Sequence, residues 1–260
     1  MQKKKIISHY LSLANFVADE KGIEIKKNYK KKNIRSSNKN SPNQIVTALD
    51  YKIEKITRKL ISAKFPEHNI VGEEFEKINN NSDFTWVIDP IDGTKAFMSS
   101  IPVFTFLLSL KYKNEYLFGL VDQPILKERF WSYRKKAYLN NKEIKVRKFI
   151  NLSKSIIAIT DPLMFKNYDL LNKKLFKKVN FVRWGTDALG YMRCAEGIID
   201  AVIERDIKIW DIAAVIPIIE GSGGIITTWD NKAPGTNDTA IACSNKKLHK
   251  ILVKTLQNFI

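Results

Sequence analysis

Cysteine is nearly absent from this 260-residue chain: Cys194 and Cys243 are the only two, each among apolar neighbours. Such a pattern does not build a disulfide framework, and it points to a reducing, cytoplasmic setting. Histidine is almost as scarce. His9, His68 and His249 are expected at helix or loop surfaces without partners, and no Ser or Cys stands beside one of them as a nucleophile with its base. No stretch approaches the roughly 20 apolar residues that cross a bilayer. The basic start Met1-Gln-Lys-Lys-Lys5 is not followed by the apolar segment of a signal peptide. There is no membrane signal, no internal repeat and no long low-complexity linker. The length suits one large domain, read as a single unit over 1–260 with halves of about 1–150 and 151–260.

Acids are also few: 27 against 44 lysines and arginines, for a net charge of +17. A nucleic-acid binder gathers such charge in a stripe or on one helix face. Here the lysines run from end to end, with small clusters at Lys30-Lys31-Lys32, Lys135-Lys136 and Lys173-Lys174. That distribution describes a solvated surface with no specific nucleic-acid partner, and it would steer small anions inward. A non-catalytic polyanion-binding protein is the alternative of a different class. It predicts tight, salt-sensitive retention of DNA.

What is present reads as layers of helix and sheet. Apolar spacing predicts a long helix over 5–32, an exposed loop over Asn33–Asn43, and a second helix over Ala48–Ala63. Strands are predicted at Phe104–Leu110, Tyr116–Val121, Glu128–Tyr133 and Ala137–Val146, the last broken at Asn140-Asn141. From Ser155 onward strands and helices alternate. Strands fall at Ser155–Thr160, Phe181–Trp184, Asp200–Glu204, Gly224–Thr228 and Thr239–Ala242. Helices fall near Tyr168–Lys177, Thr186–Glu196, Asp211–Gly221 and Asn245–Asn258. The order implies stacked sheets and helices of mixed α/β and α+β class.

Because acids are few, their placement is informative. Trp86-Val-Ile-Asp-Pro-Ile-Asp-Gly-Thr94 is an apolar run that ends in Asp89 and Asp92 and turns into a helix. Carboxylates crowded at a strand tip repel one another unless a cation sits among them. A Gly-Thr turn opening a helix offers backbone N–H groups to a phosphate. Glu73 and Asp211 likewise lie at the ends of apolar runs, where acids seldom stand without a partner. Each has a plain structural alternative: an N-cap for Asp211, a surface turn for Glu73, a simple turn for Asp89-Pro-Ile-Asp92. Hard carboxylate oxygens of this kind suit Mg2+.

Taken together, Val46-Thr-Ala-Leu-Asp50, Val71-Gly-Glu-Glu74, the Trp86–Thr94 block, and Trp210-Asp-Ile-Ala-Ala214 with Glu220-Gly-Ser-Gly-Gly224 resemble the inositol monophosphatase superfamily of Mg2+-dependent phosphatases. The resemblance implies the layered αβαβα sandwich of the inositol monophosphatase/fructose-1,6-bisphosphatase type, usually a homodimer. Glu73, Asp89, Asp92, Asp211 and the Ile91 carbonyl would hold metal. Asp50, Thr94 and Glu73 would form the catalytic set, with Thr94 and Asp50 orienting and deprotonating the attacking water. Gly93 and Thr94 would bind phosphate through their amides. Lys95, Asp187, Glu204 and Asp211 would border the substrate.

Within the superfamily, Lys95-Ala-Phe-Met-Ser-Ser-Ile-Pro102, Gly119-Leu-Val-Asp-Gln-Pro124 with Glu128-Arg129, and Trp184-Gly-Thr-Asp187 resemble the histidinol-phosphate phosphatase branch. That branch carries an acid at the position of Asp187. A carboxylate facing the cationic leaving group of L-histidinol phosphate gains a charge-assisted hydrogen bond that inositol cannot supply. Two simpler assignments stay open, Asp187 as an N-cap and Lys95 as a solvated first-turn lysine. Ile209-Trp210 departs from the branch and matches inositol monophosphatases. A small phosphate monoester is therefore the expected partner, with inositol 1-phosphate second to histidinol phosphate.

Overall fold

The structure is a computed structural model that describes residues 2–31, 36–38 and 45–259. Helices α1 (Gln2–Asn28) and α2 (Ala48–Lys64) open the chain, and between them β1 (Ser36–Asn38) pairs antiparallel with β2 (Ile45–Thr47). Part of the segment read as a loop from Asn33 to Asn43 is therefore a strand; 33–35 and 39–43 lie outside the described residues. Thr47 ends β2 and N-caps α2, its hydroxyl accepting from the Leu49 amide while Asp50 accepts from the Thr47 amide. This reciprocal cap fixes where α2 begins.

A seven-stranded sheet follows in simple spatial order: β3 (Asn69–Gly72), β4 (Phe84–Asp92), β5 (Thr105–Tyr112), β6 (Glu115–Gln123), β7 (Glu128–Tyr133), β8 (Lys136–Leu139) and β9 (Lys142–Ile144). Only β3 and β4 run parallel. Short helix α3 (Thr94–Met98) leaves the tip of β4. The second sheet has five strands in the order β11-β10-β12-β14-β13: β10 (Ile156–Ile159), β11 (Phe181–Trp184), β12 (Ala201–Arg205), β13 (Ile225–Thr227) and β14 (Thr239–Cys243). Between its strands lie α4 (Tyr168–Lys174), α5 (Asp187–Ala195), α6 (Ile209–Ala213) and α7 (Val215–Gly221), and α8 (Lys246–Leu256) closes the chain.

Side-chain alternation explains the stacking. In β5 and β6, Phe106, Leu108, Leu110, Phe118 and Leu120 pack toward α1 and α2, while Leu107 and Val121 face the opposite way onto α5–α7. In β12, Val202 joins that same central core, and Ala201 and Ile203 join an outer one with α4 and α8. The central strands of both sheets are thus covered on both faces and read as continuous apolar runs, while outer strands such as β7, β8, β9 and β11 are partly exposed. Each large apolar side chain fully buried this way contributes about 1.5–3 kcal/mol. The layers run α1/α2, seven-stranded sheet, α5–α7, five-stranded sheet, α4/α8: the expected αβαβα sandwich. Among the described residues no helix is long and apolar enough to cross a membrane.

Three further expectations need correction. The helix read over Asp211–Gly221 is two helices, α6 and α7, jointed at Ala214. Pro217 explains the joint, because its ring lacks an N–H and collides with the carbonyl four residues back, at Ala213. The first helix ends at Asn28 rather than at 32. His68 and His249 are buried and partnered. His68 stacks against Phe65 and Phe84 at 4.9 and 4.6 Å between ring centres and accepts from Trp86 Nε1 at 3.0 Å. His249 Nε2 lies 2.7 Å from Thr227 Oγ1. Both belong to the core, which periodicity cannot reveal for so few histidines; His9 is exposed as expected.

Candidate active site

The tip of β4 is built around a bulge. Asp89 pairs with Leu107 and Asp92 with Thr105, so three steps on β4 oppose two on β5. Pro90 cannot donate to the ladder, which is where a strand interrupts its pairing. The extra residue has a chemical consequence. Residues three apart on a regular strand project to opposite faces; one added residue brings them to the same side. Asp89 and Asp92 therefore converge, and the N-terminal turn of α6 brings Asp211 to them. Single carboxylate oxygens of Asp89, Asp92 and Asp211 all lie within 4.8 Å of one another.

Each acid is held from a different direction. The Ala188 amide donates to Asp92 Oδ2 at 2.7 Å and Thr105 Oγ1 donates to the same oxygen at 3.4 Å. The Lys208 amide donates to Asp211 Oδ2 at 2.6 Å, so Asp211 caps α6 as well as facing the cluster. Asp89 is different. It is 1% exposed, and among the described residues its Oδ1 has no hydrogen-bond donor. A buried carboxylate oxygen left this way is costly unless a cation reaches it. Burial, together with the charges of Glu73, Asp92, Asp211 and Asp50, pushes the Asp89 carboxyl well above the usual range. Burial raises Asp92 too, reinforced by Asp187 and Asp211. Asp211 is pushed up to about 7, chiefly by burial, although the Lys208 amide opposes the rise. Three mutually destabilised aspartates with hard oxygens fit a divalent cation of the Mg2+ kind. Glu73 stands half-buried just beyond the end of β3, outside the tight aspartate trio, yet its charge raises Asp50, Asp89 and Asp211.

Beside this cluster, Thr94 Oγ1 lies 3.3 Å from Asp50 Oδ1 and 3.1 Å from the Ile91 carbonyl oxygen. Asp50 Oδ2 is already taken by the Thr47 amide, at 2.9 Å, and by the Thr47 hydroxyl. Asp50 thus presents one oxygen to Thr94. Its carboxyl is raised to about 6, mainly by burial, with the Thr47 hydrogen bonds resisting. Gly93 between the acids and Thr94 has φ +80°, and a Cβ there would sit 3.0 Å from Asp187 Oδ2. Glycine is needed for both reasons.

Asp187 lies across the Gly93 turn at the start of α5, with φ +44°. Burial raises its carboxyl to about 6, Lys95 lowers it and Asp161 raises it. Lys95 is exposed, its Nζ 3.9 Å from Asp161 Oδ2. Glu204, 5% exposed, accepts from Thr160 Oγ1 and, at 3.0 Å, from Tyr191 OH. Its carboxyl is raised to about 7, first by burial. The structure thus brings Asp50, Glu73, Asp89, Ile91, Asp92, Gly93, Thr94, Asp187, Glu204 and Asp211 to one region, with Lys95 at its rim. Thr105, Asp161, Thr160 and Tyr191 were not foreseen. Only Tyr191 left a trace, standing one helical turn after Asp187.

The sequence pattern of the inositol monophosphatase family matches residues 7–260. The bifunctional phosphatase IMPL2 of Arabidopsis thaliana is 33% identical over 265 residues, covering 96% of this chain and 76% of that protein. A histidinol-phosphatase of Chlorobaculum parvum is 29% identical, covering 82% of this chain and 83% of its own. The crystal structure of the extragenic suppressor protein suhB from Bartonella henselae superposes with a TM-score of 0.89. It is 26% identical and covers 97% of this chain and 100% of its own.

Proposed function

Because the chain belongs to the inositol monophosphatase family of metal-dependent phosphatases, we propose that it is a Mg2+-dependent phosphomonoesterase acting on L-histidinol phosphate. The observation that carries the phosphatase assignment is the convergence of Asp89, Asp92 and Asp211 beside the Thr94–Asp50 pair. Glu73, Asp89, Asp92, Asp211 and the Ile91 carbonyl would hold the metal, which supplies Lewis-acid activation of water and charge neutralisation of the phosphate.

The chain's own groups would do the rest. The attacking water donates its O–H to Thr94 Oγ1, whose own proton passes to Asp50 Oδ1, the one oxygen of that carboxyl turned toward it. The water oxygen bonds to phosphorus as the bond to the ester oxygen breaks, and the departing alkoxide takes up a proton from solvent. An Asp50 carboxyl raised to about 6 is ionised at neutral pH and basic enough to serve as this acceptor. The Gly93 and Thr94 amides would orient the phosphate. The ester's organic half would lie toward Asp187, with Lys95 and Asp161 at the rim.

Support for histidinol phosphate comes from that acidic side. Asp187 feels the charges of both Asp161 and Glu204, with Lys95 as the nearby counter-charge. A cationic leaving group would relieve this repulsion; an inositol ring would not. The C. parvum relative is itself a histidinol-phosphatase. Inositol 1-phosphate is the second reading, favoured by Ile209-Trp210 ahead of Asp211. A small ester rather than a nucleic acid is the proposed partner, and a homodimer the proposed assembly.

The test compares phosphate release from histidinol phosphate, inositol 1-phosphate and adenosine 3′,5′-bisphosphate, before and after Asp187→Asn. Asparagine tolerates the left-handed backbone at this position. Loss of a charge-assisted hydrogen bond should lower kcat/KM for the cationic ester about tenfold to a hundredfold, sparing the other two. Equal loss on all three would overturn the substrate assignment.

A further inference from the structure

Helix α2 carries Asp50, Glu54 and Arg58 at successive four-residue steps, all on its buried face. Asp50 reaches the candidate site, but Glu54 and Arg58 reach something else. Glu54 Oε1 accepts from Arg58 Nε at 2.7 Å, and its Oε2 accepts from the Glu74 backbone amide at 2.7 Å. Arg58 then donates Nη1 to the Glu76 carbonyl at 3.0 Å and Nη2 to the Phe75 carbonyl at 2.9 Å. Its guanidinium also lies over the Phe75 ring, 5.7 Å from the centre. Every one of these backbone contacts falls on the segment that leaves β3 and carries Glu73.

The cost of this arrangement indicates its purpose. Glu54 is fully buried and Arg58 is 7% exposed, and an ion pair withdrawn from water this far adds little net stability over an apolar pair. The approach is also close enough that Gly72 cannot carry a side chain, since a Cβ there would lie 2.5 Å from Glu54 Cδ. What the pair does supply is geometry. A planar guanidinium with two parallel donors fixes two successive carbonyls in a way an ammonium cannot.

We propose that Glu54 and Arg58 are positioning residues for the metal site: they clamp residues 72–76 to α2 and so hold the Glu73 carboxylate toward the aspartate cluster. One face of α2 thereby sets both the water-activating Asp50 and, through the clamp, the Glu73 side of the site. The proposal rests on the reading of Glu73 as a metal ligand, so its test separates the two.

The experiment uses the full-length protein and measures two quantities. One is amide hydrogen exchange over 72–76 without metal; the other is Mg2+ affinity by titration calorimetry. Arg58→Lys keeps the charge beside Glu54 but cannot hold both carbonyls. It should speed exchange of the loop amides at least tenfold while β5 and β6 keep their protection. It should also weaken Mg2+ binding about tenfold to a hundredfold, the usual effect of removing a group that orients a ligand. Glu54→Gln should loosen the Glu74 amide in the same way. Ile61→Val, at a fully buried position of α2 in the apolar core beneath the seven-stranded sheet, serves as a matched destabiliser and should change neither quantity. A folded Arg58→Lys protein with unchanged loop exchange, or with a loosened loop and wild-type Mg2+ affinity, overturns the proposal. So does an Ile61→Val protein whose Mg2+ affinity falls as far. Glu73→Gln tests the premise alone: undiminished Mg2+ binding there removes the premise while leaving the exchange result to judge the clamp.

Discussion

Replacing Asp211 with asparagine should make the metal-free protein more stable at pH 8 while removing its response to Mg2+. The amide is isosteric, and its oxygen can still accept from the Lys208 amide across the present 2.6 Å. What disappears is a charge. The Asp211 carboxyl stands at 3.8 in an unfolded chain and about 7 in the folded one. A carboxyl raised on folding stabilises the folded state only while it stays protonated. That advantage is complete below about pH 4 and is lost as pH rises through about 7. Ionising it in the folded site costs on the order of 4 kcal/mol. Because the group is half-buried and shares the strain with Asp89 and Asp92, roughly 2 kcal/mol belongs to Asp211 itself. In a chain of this size that is about 4–8 °C in Tm.

Thermal unfolding at pH 4, 6 and 8, with and without Mg2+, reads this out. Metal-free Asp211→Asn should unfold higher than wild type at pH 8, with the gap closing toward pH 4. Mg2+ at about a hundred times its Kd should stabilise wild type by about 2.7 kcal/mol, more at pH 8 than at pH 6 because binding must displace protons. It should leave the variant unmoved. Comparison at equal pH cancels most of the general effect of the +17 net charge, from which the variant differs by one charge. A variant less stable than wild type at pH 8, or one that Mg2+ stabilises equally, would show that Asp211 is a cap and nothing more.

Three smaller expectations concern the proton path and the turn. Thr94→Val keeps the shape but removes the hydroxyl between the Ile91 carbonyl and Asp50; kcat should fall about 10²- to 10⁴-fold with Mg2+ affinity within about twofold, as calorimetry would check. In wild type, activity should rise with pH through an acid limb at or below about 6, where Asp50 loses its proton, and a limb that persists unchanged in Asp50→Asn would exclude this base. Gly93→Ala adds a Cβ 3.0 Å from Asp187 Oδ2 at a backbone angle of +80°; it should cost on the order of 1–3 kcal/mol in denaturant unfolding and lower activity on every ester, and an Ala variant of wild-type stability would contradict the strain.

Much of the fold was legible because the central strands of both sheets are covered on both faces and announced themselves as apolar runs bounded by turns. The more exposed Glu128–Tyr133 and Phe181–Trp184 also agree to the residue, through their aromatic and β-branched residues between turns. The errors share a cause. β1, the α6–α7 joint and the burial of His68 and His249 depend on contacts with distant segments or on one proline, and local spacing does not carry that information. The acids of the site were legible as carboxylates standing where apolar runs end.

Sequence alone determined the chemistry on offer: which hard oxygens, which Gly-Thr turn, which family of motifs, because these are properties of residue type and order. Only the tertiary structure decided how they meet. The bulge at Pro90 turns Asp89 and Asp92 to one side, α6 delivers Asp211 to them, and α2 aims Asp50 while gripping the loop that bears Glu73. The reason is that a carboxylate's destination is set by strand register and helix packing, which sum interactions over the whole chain, whereas its identity is local.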